Sequence, residues 1–86
     1  MTSTEYLDHI AATEGVCPGA HEIETLRVWA EAERRTALKR KTKAAGEKAN
    51  QAWNRYAAAV GLRAHWETRY LPRARRMDSA AGVTAQ

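Results

Sequence analysis

An all-α fold is predicted by three features of this sequence. Ala is its most frequent residue and Arg is abundant, whereas Gly and Pro number only five and two among 86 residues. Apolar residues recur three or four positions apart, as on one face of a helix. No run alternates apolar and polar residues with the period of two that a half-buried strand requires. The expected architecture is a short N-terminal helix, a long helical hairpin that turns near residue 46, and a C-terminal helix.

The length of the chain limits it to one domain. A domain of 86 residues lies near the lower limit for a self-sufficient core, and association of copies is a common remedy. We therefore expect one helical domain over residues 1–76, a flexible tail over 77–86, and a homo-oligomer. The apolar faces expected at its interface are those of Ile23, Leu26 and Trp29 and of Trp53, Tyr56 and Val60.

The first helix is predicted by its two ends. Thr2, with Glu5 three residues later, matches a capping box at a helix N-terminus. Gly15 is the residue type that most often follows a final helical turn, so the helix should end near Glu14. Its apolar face consists of Tyr6, Leu7, Ile10 and Ala11.

A long second helix should begin near Ala20, after the loop at residues 15–19. Its acidic residues Glu22 and Glu24 suit the positive end of the helix dipole. Its apolar stripe comprises Ile23, Leu26, Trp29, Ala30 and Ala37.

The apolar stripe then changes face, which predicts a break in the helix. At roughly 100° per residue, the stripe of Trp53, Tyr56 and Val60 lies about 130° from that of the preceding helix. A single straight helix would have to bury two different faces. We expect a hairpin turn within residues 44–47, with Gly46 as its weak point, in preference to a continuous helix kinked there.

A last helix is predicted beyond Gly61, which would end the preceding one. Leu62, Trp66 and Tyr70 repeat every four residues, and the helix should close just before Pro72, which disfavours the helical conformation. The chain has no Phe, so its other rings must supply much of the core or interface. These rings are Trp29, Trp53, Trp66, Tyr56 and Tyr70.

The segment AAAVGL at residues 57–62 resembles the turn of a helix-turn-helix DNA-binding motif. Ala57 fills the place of the small residue and Gly61 that of the turn glycine, while the flanking apolar places and a later core position are filled by Val60, Leu62 and Tyr70. Glu67 departs from the pattern, which has an apolar residue inside the second helix. The resemblance implies a recognition helix at 63–71 that offers Arg63, His65, Thr68 and Arg69 to DNA. The alternative is a glycine-terminated helix joined to its neighbour by a tight turn.

Charge is distributed unevenly along the chain. Residues 1–38 carry seven acidic and three basic side chains, whereas residues 39–86 carry three acidic and eleven basic ones. Such asymmetry indicates a polyanionic partner for the second half. Alternatively, an antiparallel hairpin could lay the acidic half against the basic half.

Two groups of basic residues are the candidate binding site. Contacts to phosphates need charge and reach rather than fixed geometry, so the expected partner is nucleic acid, with DNA favoured over RNA. The alternative is a solvated face whose charges pair with acids, as Arg63 would with Glu67 four residues later. The candidate residues are Lys39, Arg40, Lys41, Lys43 and Lys48 in the first group and Arg63, Arg69, Arg73, Arg75 and Arg76 in the second.

A second hypothesis places an acidic protein surface against these basic residues. The chain would then be an interaction or assembly factor, such as a phage-encoded inhibitor or a virion component, with tryptophans as anchors. The many Ala residues and the excess of Arg over Lys fit a GC-rich genome, so under either hypothesis we expect an accessory protein of a bacterium or phage.

Other classes of function find little support in the sequence. It has no glycine-rich phosphate loop and no recognisable catalytic set, so we expect neither an enzyme nor a cofactor. Cys17 and His21 make half a zinc motif, interrupted by Pro18, and no metal is expected. No apolar run approaches the length of about 20 residues that spans a bilayer, and the acidic start is unlike a signal peptide. The expected location is cytoplasmic, away from membranes.

Overall fold

The fold consists of helices throughout the part of the chain that the structure describes. The computed structural model describes the backbone of residues 1–85 and the side chains of residues 1–80. Its elements are α1 (Ser3–Glu14), α2 (Ala20–Arg40), α3 (Lys43–His65), a π-helical segment (Trp66–Tyr70) and α4 (Leu71–Ala85). No strand occurs within this range. The predicted all-α class is confirmed.

The ends of α1 match the sequence signals that predict them. The Thr2 hydroxyl oxygen accepts the backbone N–H of Glu5 at 3.2 Å and donates to the Glu5 carboxylate at 3.2 Å. Gly15 has a φ of 99° and donates its N–H to the carbonyl of Ala11 at 3.1 Å. A positive φ of this kind is cheap only for glycine, so α1 ends where the sequence indicates.

The chain divides into two compact units. We call residues 18–61 the hairpin unit, and residues 1–17 with those from 62 onward the terminal unit. The sequence predicts one domain over 1–76 and a flexible tail over 77–86. Helix α4 continues past residue 76 to Ala85, and Gln86 lies outside the described residues. Self-association stays a prediction.

In the hairpin unit, α2 and α3 lie side by side and run antiparallel. The guanidinium carbon of Arg55 on α3 lies 5.8 Å from the ring centre of Trp29 on α2. Arg34 and Asn50 line one shared cleft. Each pair is placed symmetrically about the turn between the helices, which fixes their register.

The seam between α2 and α3 consists of alanines. Ala30 and Ala52 are fully buried, and Ala45 and Ala49 nearly so, the three on α3 recurring at the spacing of one helical face. No large side chain among the described residues is fully buried. Each alanine removes little more than one methyl group from water, worth about 0.8 kcal/mol. The seam therefore gives close approach of the helices rather than a large hydrophobic stabilisation.

The predicted break between the two apolar stripes is confirmed, but it lies earlier than residues 44–47. Helix α2 ends because Lys41 adopts a left-handed conformation, with φ 54°, and donates its N–H to the carbonyl of Ala37 at 2.9 Å. Thr42 starts α3, since its hydroxyl oxygen accepts the N–H of Ala45 at 3.2 Å. Gly46 lies inside α3, where its cost is only about 1 kcal/mol.

The prediction that Gly61 ends a helix is wrong. Helix α3 continues through Gly61 to His65. A glycine weakens a helix interior without breaking it, and the helix here continues on both sides.

The prediction that the last helix closes before Pro72 is also wrong. A proline inside an α-helix clashes with the carbonyl four residues earlier, here that of Thr68. The segment before it is π-helical instead, and the Leu71 N–H reaches the carbonyl of Trp66, five residues back. Because the wider turn relieves the clash, α4 begins at Leu71 and includes Pro72.

The terminal unit is built around Trp66. Its side chain is only 4% exposed, and its indole N–H donates to the carbonyl of Gly15 at 3.1 Å. The ring of Tyr70 meets it edge-on at 5.3 Å. Helix α1 packs on α4, where Ala74 is buried and the Arg73 guanidinium lies 5.2 Å from the ring centre of Tyr6. The expectation that Trp66 belongs to the core is confirmed.

Substituting Gly46 or Gly61 by Ala is expected to stabilise the protein. Both are helical, and a Cβ at either site would meet nothing within 4 Å. Each change should raise the free energy of unfolding by about 0.5–1 kcal/mol in denaturant titration. Gly15→Ala, at a positive φ, is the matched control and should cost about 1–3 kcal/mol. Destabilisation by Gly46→Ala would place a turn there after all.

Replacing Trp66 by Phe should lower the free energy of unfolding by about 2 kcal/mol. The change removes the hydrogen bond to the partly buried carbonyl of Gly15 and leaves a small void. Trp53→Phe is the control, because the side chain of Trp53 is only half-buried. Equal losses in thermal or denaturant unfolding would contradict the role given to the indole N–H.

Candidate nucleic-acid interface

The first basic group of the sequence lies at the turn of the hairpin. We call its five residues the tip cluster: Lys39, Arg40, Lys41, Lys43 and Lys48. The left-handed Lys41 reverses the chain within two residues, so the end of α2 and the start of α3 come together. All five side chains are exposed. The turn thus gathers charges that one continuous helix would spread along its length.

The tip cluster takes no part in the ion pairs found among the described residues. In the hairpin unit these pairs join Arg27 to Glu24 and, at 2.8 Å, to Glu31. The hydrogen bonds from Arg27 hold the pKa of the Glu24 carboxyl below its ordinary value. These acids are therefore engaged with Arg27 on α2 rather than with the tip.

Two acidic residues lie near the tip cluster. Glu33 lines a cavity of about 290 Å³ together with Arg40 and Lys48. Glu47 is exposed and stands in the N-terminal part of α3. Residues 39–48 nevertheless hold five basic side chains and one acidic one, so the tip remains strongly positive.

The two units differ in net charge. The hairpin unit carries nine basic and five acidic residues, a balance of +4, whereas the terminal unit carries five of each. This balance arises because the acidic N-terminal helix belongs to the same unit as the arginines of residues 63–76. The basic charge of the second half of the sequence is thus balanced by acidic residues in the terminal unit, whereas the hairpin unit keeps a net positive charge.

The second basic group is partly engaged in contacts within the terminal unit. Arg63 pairs with Glu67 at 2.9 Å, the i, i+4 pair that the sequence suggests, and Arg73 lies over the ring of Tyr6. Arg69, Arg75 and Arg76 are exposed. These arginines lie in the terminal unit and the tip cluster in the hairpin unit, so the ten predicted contact residues are divided between the units.

The helix-turn-helix resemblance is not borne out by the geometry. Because α3 continues through Gly61, residues 63–71 do not form a separate recognition helix. His65 packs edge-on against Tyr70 at 5.3 Å, and the Thr68 hydroxyl donates to the carbonyl of Ala64 at 2.8 Å. Of the residues that the motif would offer to base edges, Arg69 is left as an exposed cation.

A feature that the sequence did not indicate is a cleft beside Trp53. Two adjoining hollows of about 330 and 350 Å³ share Trp53 and Arg34 in their linings. We call the two hollows together the Trp53 cleft, and its lining consists of Glu31, Arg34, Arg35, Leu38, Ala49, Asn50 and Trp53. Its residues come from both helices. Their proximity could be predicted only from the register of the hairpin, which the position of the turn sets.

Neither a metal-holding group nor a membrane-spanning helix is found in the described part of the chain. Within them, no group of three or more His, Cys, Asp or Glu side chains is arranged to hold a metal ion. No helix in the same range is long and apolar enough to cross a membrane.

Comparison with protein-family models, with curated proteins and with solved structures finds no match to this chain. We therefore infer the function from the charges, exposure and geometry of the chain's own residues.

Proposed function

We propose that the protein binds the phosphate backbone of nucleic acid through the tip cluster. The observation that carries the proposal is five exposed cations at the reversal of one hairpin, outside the ion pairs of the described residues. An uncompensated cluster of this kind attracts polyanions at long range and gains free energy by releasing their counterions.

The tip suits backbone contact better than recognition of bases. Four of its five cations are lysines, whose flexible stems carry a compact charge to any nearby phosphate. Contacts of this type position a protein without reading sequence. With no separate recognition helix, the proposal covers DNA and RNA alike and predicts little sequence preference. The chain would act as an accessory protein of a bacterium or phage.

Removing charge from the tip should flatten the salt dependence of binding. In the triple variant Lys39→Gln, Arg40→Gln, Lys43→Gln, the slope of log K against log salt should fall by about 2–3 on a short duplex. The matched control removes the same charge from the terminal unit, as Arg69→Gln, Arg75→Gln, Arg76→Gln. Its slope should fall by less than about one. Fluorescence anisotropy across a salt series measures both.

Two results would count against the tip as the binding surface. One is an equal fall in slope for the two triple variants, which would indicate attraction by net charge alone. The other is a wild-type slope no steeper than that of an unrelated basic protein of the same net charge. Lys41 is kept in both variants because it holds the left-handed position of the turn.

An acidic protein surface is the second candidate partner. The observation in its favour is the exposure of two apolar side chains on α2, Leu38 at 67% and Val28 at 50%. Leu38 shares a hollow with the exposed cations Arg34 and Arg35, so an acidic partner would meet an apolar anchor and opposite charges together.

Nuclease treatment is expected to separate these two functions. If the tip binds nucleic acid, material captured from a host lysate should be released by digestion and absent with the tip triple variant. A protein that stays bound after digestion, and is lost with the double variant Val28→Ser, Leu38→Ser, would favour docking on protein. Circular dichroism of each variant checks that the helices remain folded.

A further inference from the structure

The Trp53 cleft lies on the same hairpin as the tip cluster, immediately beside it. Leu38 in the cleft precedes Lys39 of the tip, and Ala49, which lines the cleft, follows Lys48. At about 1.5 Å of rise per residue, Arg34 and Arg40 are only about 9 Å apart along α2. If the tip cluster holds the phosphates of a nucleic-acid strand, the adjoining nucleotides of that strand are within reach of the cleft.

The two tryptophans of the hairpin unit differ in what lies against their rings. One face of the Trp29 ring carries the guanidinium of Arg55, 5.8 Å from the ring centre. No such cation lies over Trp53 among the contacts of the described residues, and Tyr56 meets it at 5.5 Å with the rings inclined at 70°. Trp53 is thus held in orientation by a neighbouring ring while it borders an open hollow on the surface.

The chemistry of the lining suits a planar, hydrogen-bonding ligand attached to negative charge. Arg34 and Arg35 supply cations, Asn50 supplies an amide that both donates and accepts, and Trp53 supplies an aromatic surface. The one acidic residue of the lining, Glu31, is already paired with Arg27. Hollows of 330 and 350 Å³ fall at the small end of the range for ligand sites.

We propose that the Trp53 cleft receives an unpaired base of single-stranded nucleic acid, stacked against the indole, while the tip cluster holds the adjoining phosphates. This inference rests on the proposed function and narrows its substrate to single strands. In a duplex the bases are stacked and paired inside, so a duplex would contact the tip alone. Stacking on an aromatic ring is tolerant of sequence, because every base has a flat face.

The first experiment compares single-stranded and duplex oligonucleotides of equal length at one salt concentration. The variant Trp53→Leu should weaken binding of the single strand by roughly tenfold or more and leave duplex binding unchanged. Trp29→Leu is the matched control, since one face of that ring is already occupied by Arg55, and it should leave both affinities unchanged. Equal effects of the two variants, or no effect of Trp53→Leu, would overturn the assignment.

A second experiment uses the unaltered chain, so it does not depend on whether a variant folds. A single strand carrying 5-iodouracil is irradiated in complex with the protein, which links the base to an aromatic ring stacked on it. Trypsin then places each tryptophan in a separate peptide, residues 28–34, 49–55 and 64–69. The adduct is expected on peptide 49–55, and its absence there would overturn the proposal.

Failure of the cleft and failure of the tip give different results. If the single strand and the duplex bind alike, and both lose affinity only in the tip triple variant, the cleft assignment is overturned while the proposed function stands. If neither oligonucleotide shows a salt slope that the tip substitutions reduce, both are overturned. A single-strand preference lost with Trp53→Leu supports both.

Discussion

The small size of alanine at the seam between α2 and α3 is the constraint on which the rest of the hairpin depends. Ala30, Ala45, Ala49 and Ala52 are the buried residues there, so the helix backbones approach closely and leave no room for large side chains. The tryptophans and arginines of these helices are therefore displaced to the flanks of the seam. One packing choice thus explains both the modest core and the abundance of aromatic and cationic groups at the surface.

The fold could be predicted from the sequence at positions where the residue type has a single usual conformational role. The Thr2 cap and the positive φ at Gly15 delimit α1 as their chemistry requires. The turn lies earlier than predicted because the Thr42 hydroxyl caps α3, whereas Gly46 is tolerated inside the helix. A left-handed Lys41 has no signature in the sequence, since the residue types that usually mark such a helix end are Gly and Asn. Gly61 and Pro72 are residue types that often end a helix, but here the helix continues through Gly61 and the π-helical segment accommodates Pro72.

The candidate site was predictable in its composition but not in its arrangement. Lys39, Arg40 and Lys41 stand out in the sequence, yet on one continuous helix they would form a collar pointing in several directions. The reversal at Lys41 is what places Lys43 and Lys48 beside them. The cleft around Trp53 needs side chains of two helices in register, which periodicity along one helix cannot supply. In the terminal unit, conversely, charges that looked available in sequence are compensated by acids of the same unit.

The π-helical segment before Pro72 affects which face of α4 is turned towards α1. A π turn holds one more residue than an α turn, so it rotates everything after it by about 100° relative to an uninterrupted helix. With this rotation, Ala74 lies on the buried face of α4 in the terminal unit, where α4 packs on α1. Loss of one codon within residues 66–70 would restore regular helical geometry and keep the same face of α4 towards α1, but the ring of Pro72 would then clash with the carbonyl four residues earlier. The extra residue of the π turn thus lets a proline stand within the helix while α4 keeps the face that packs on α1.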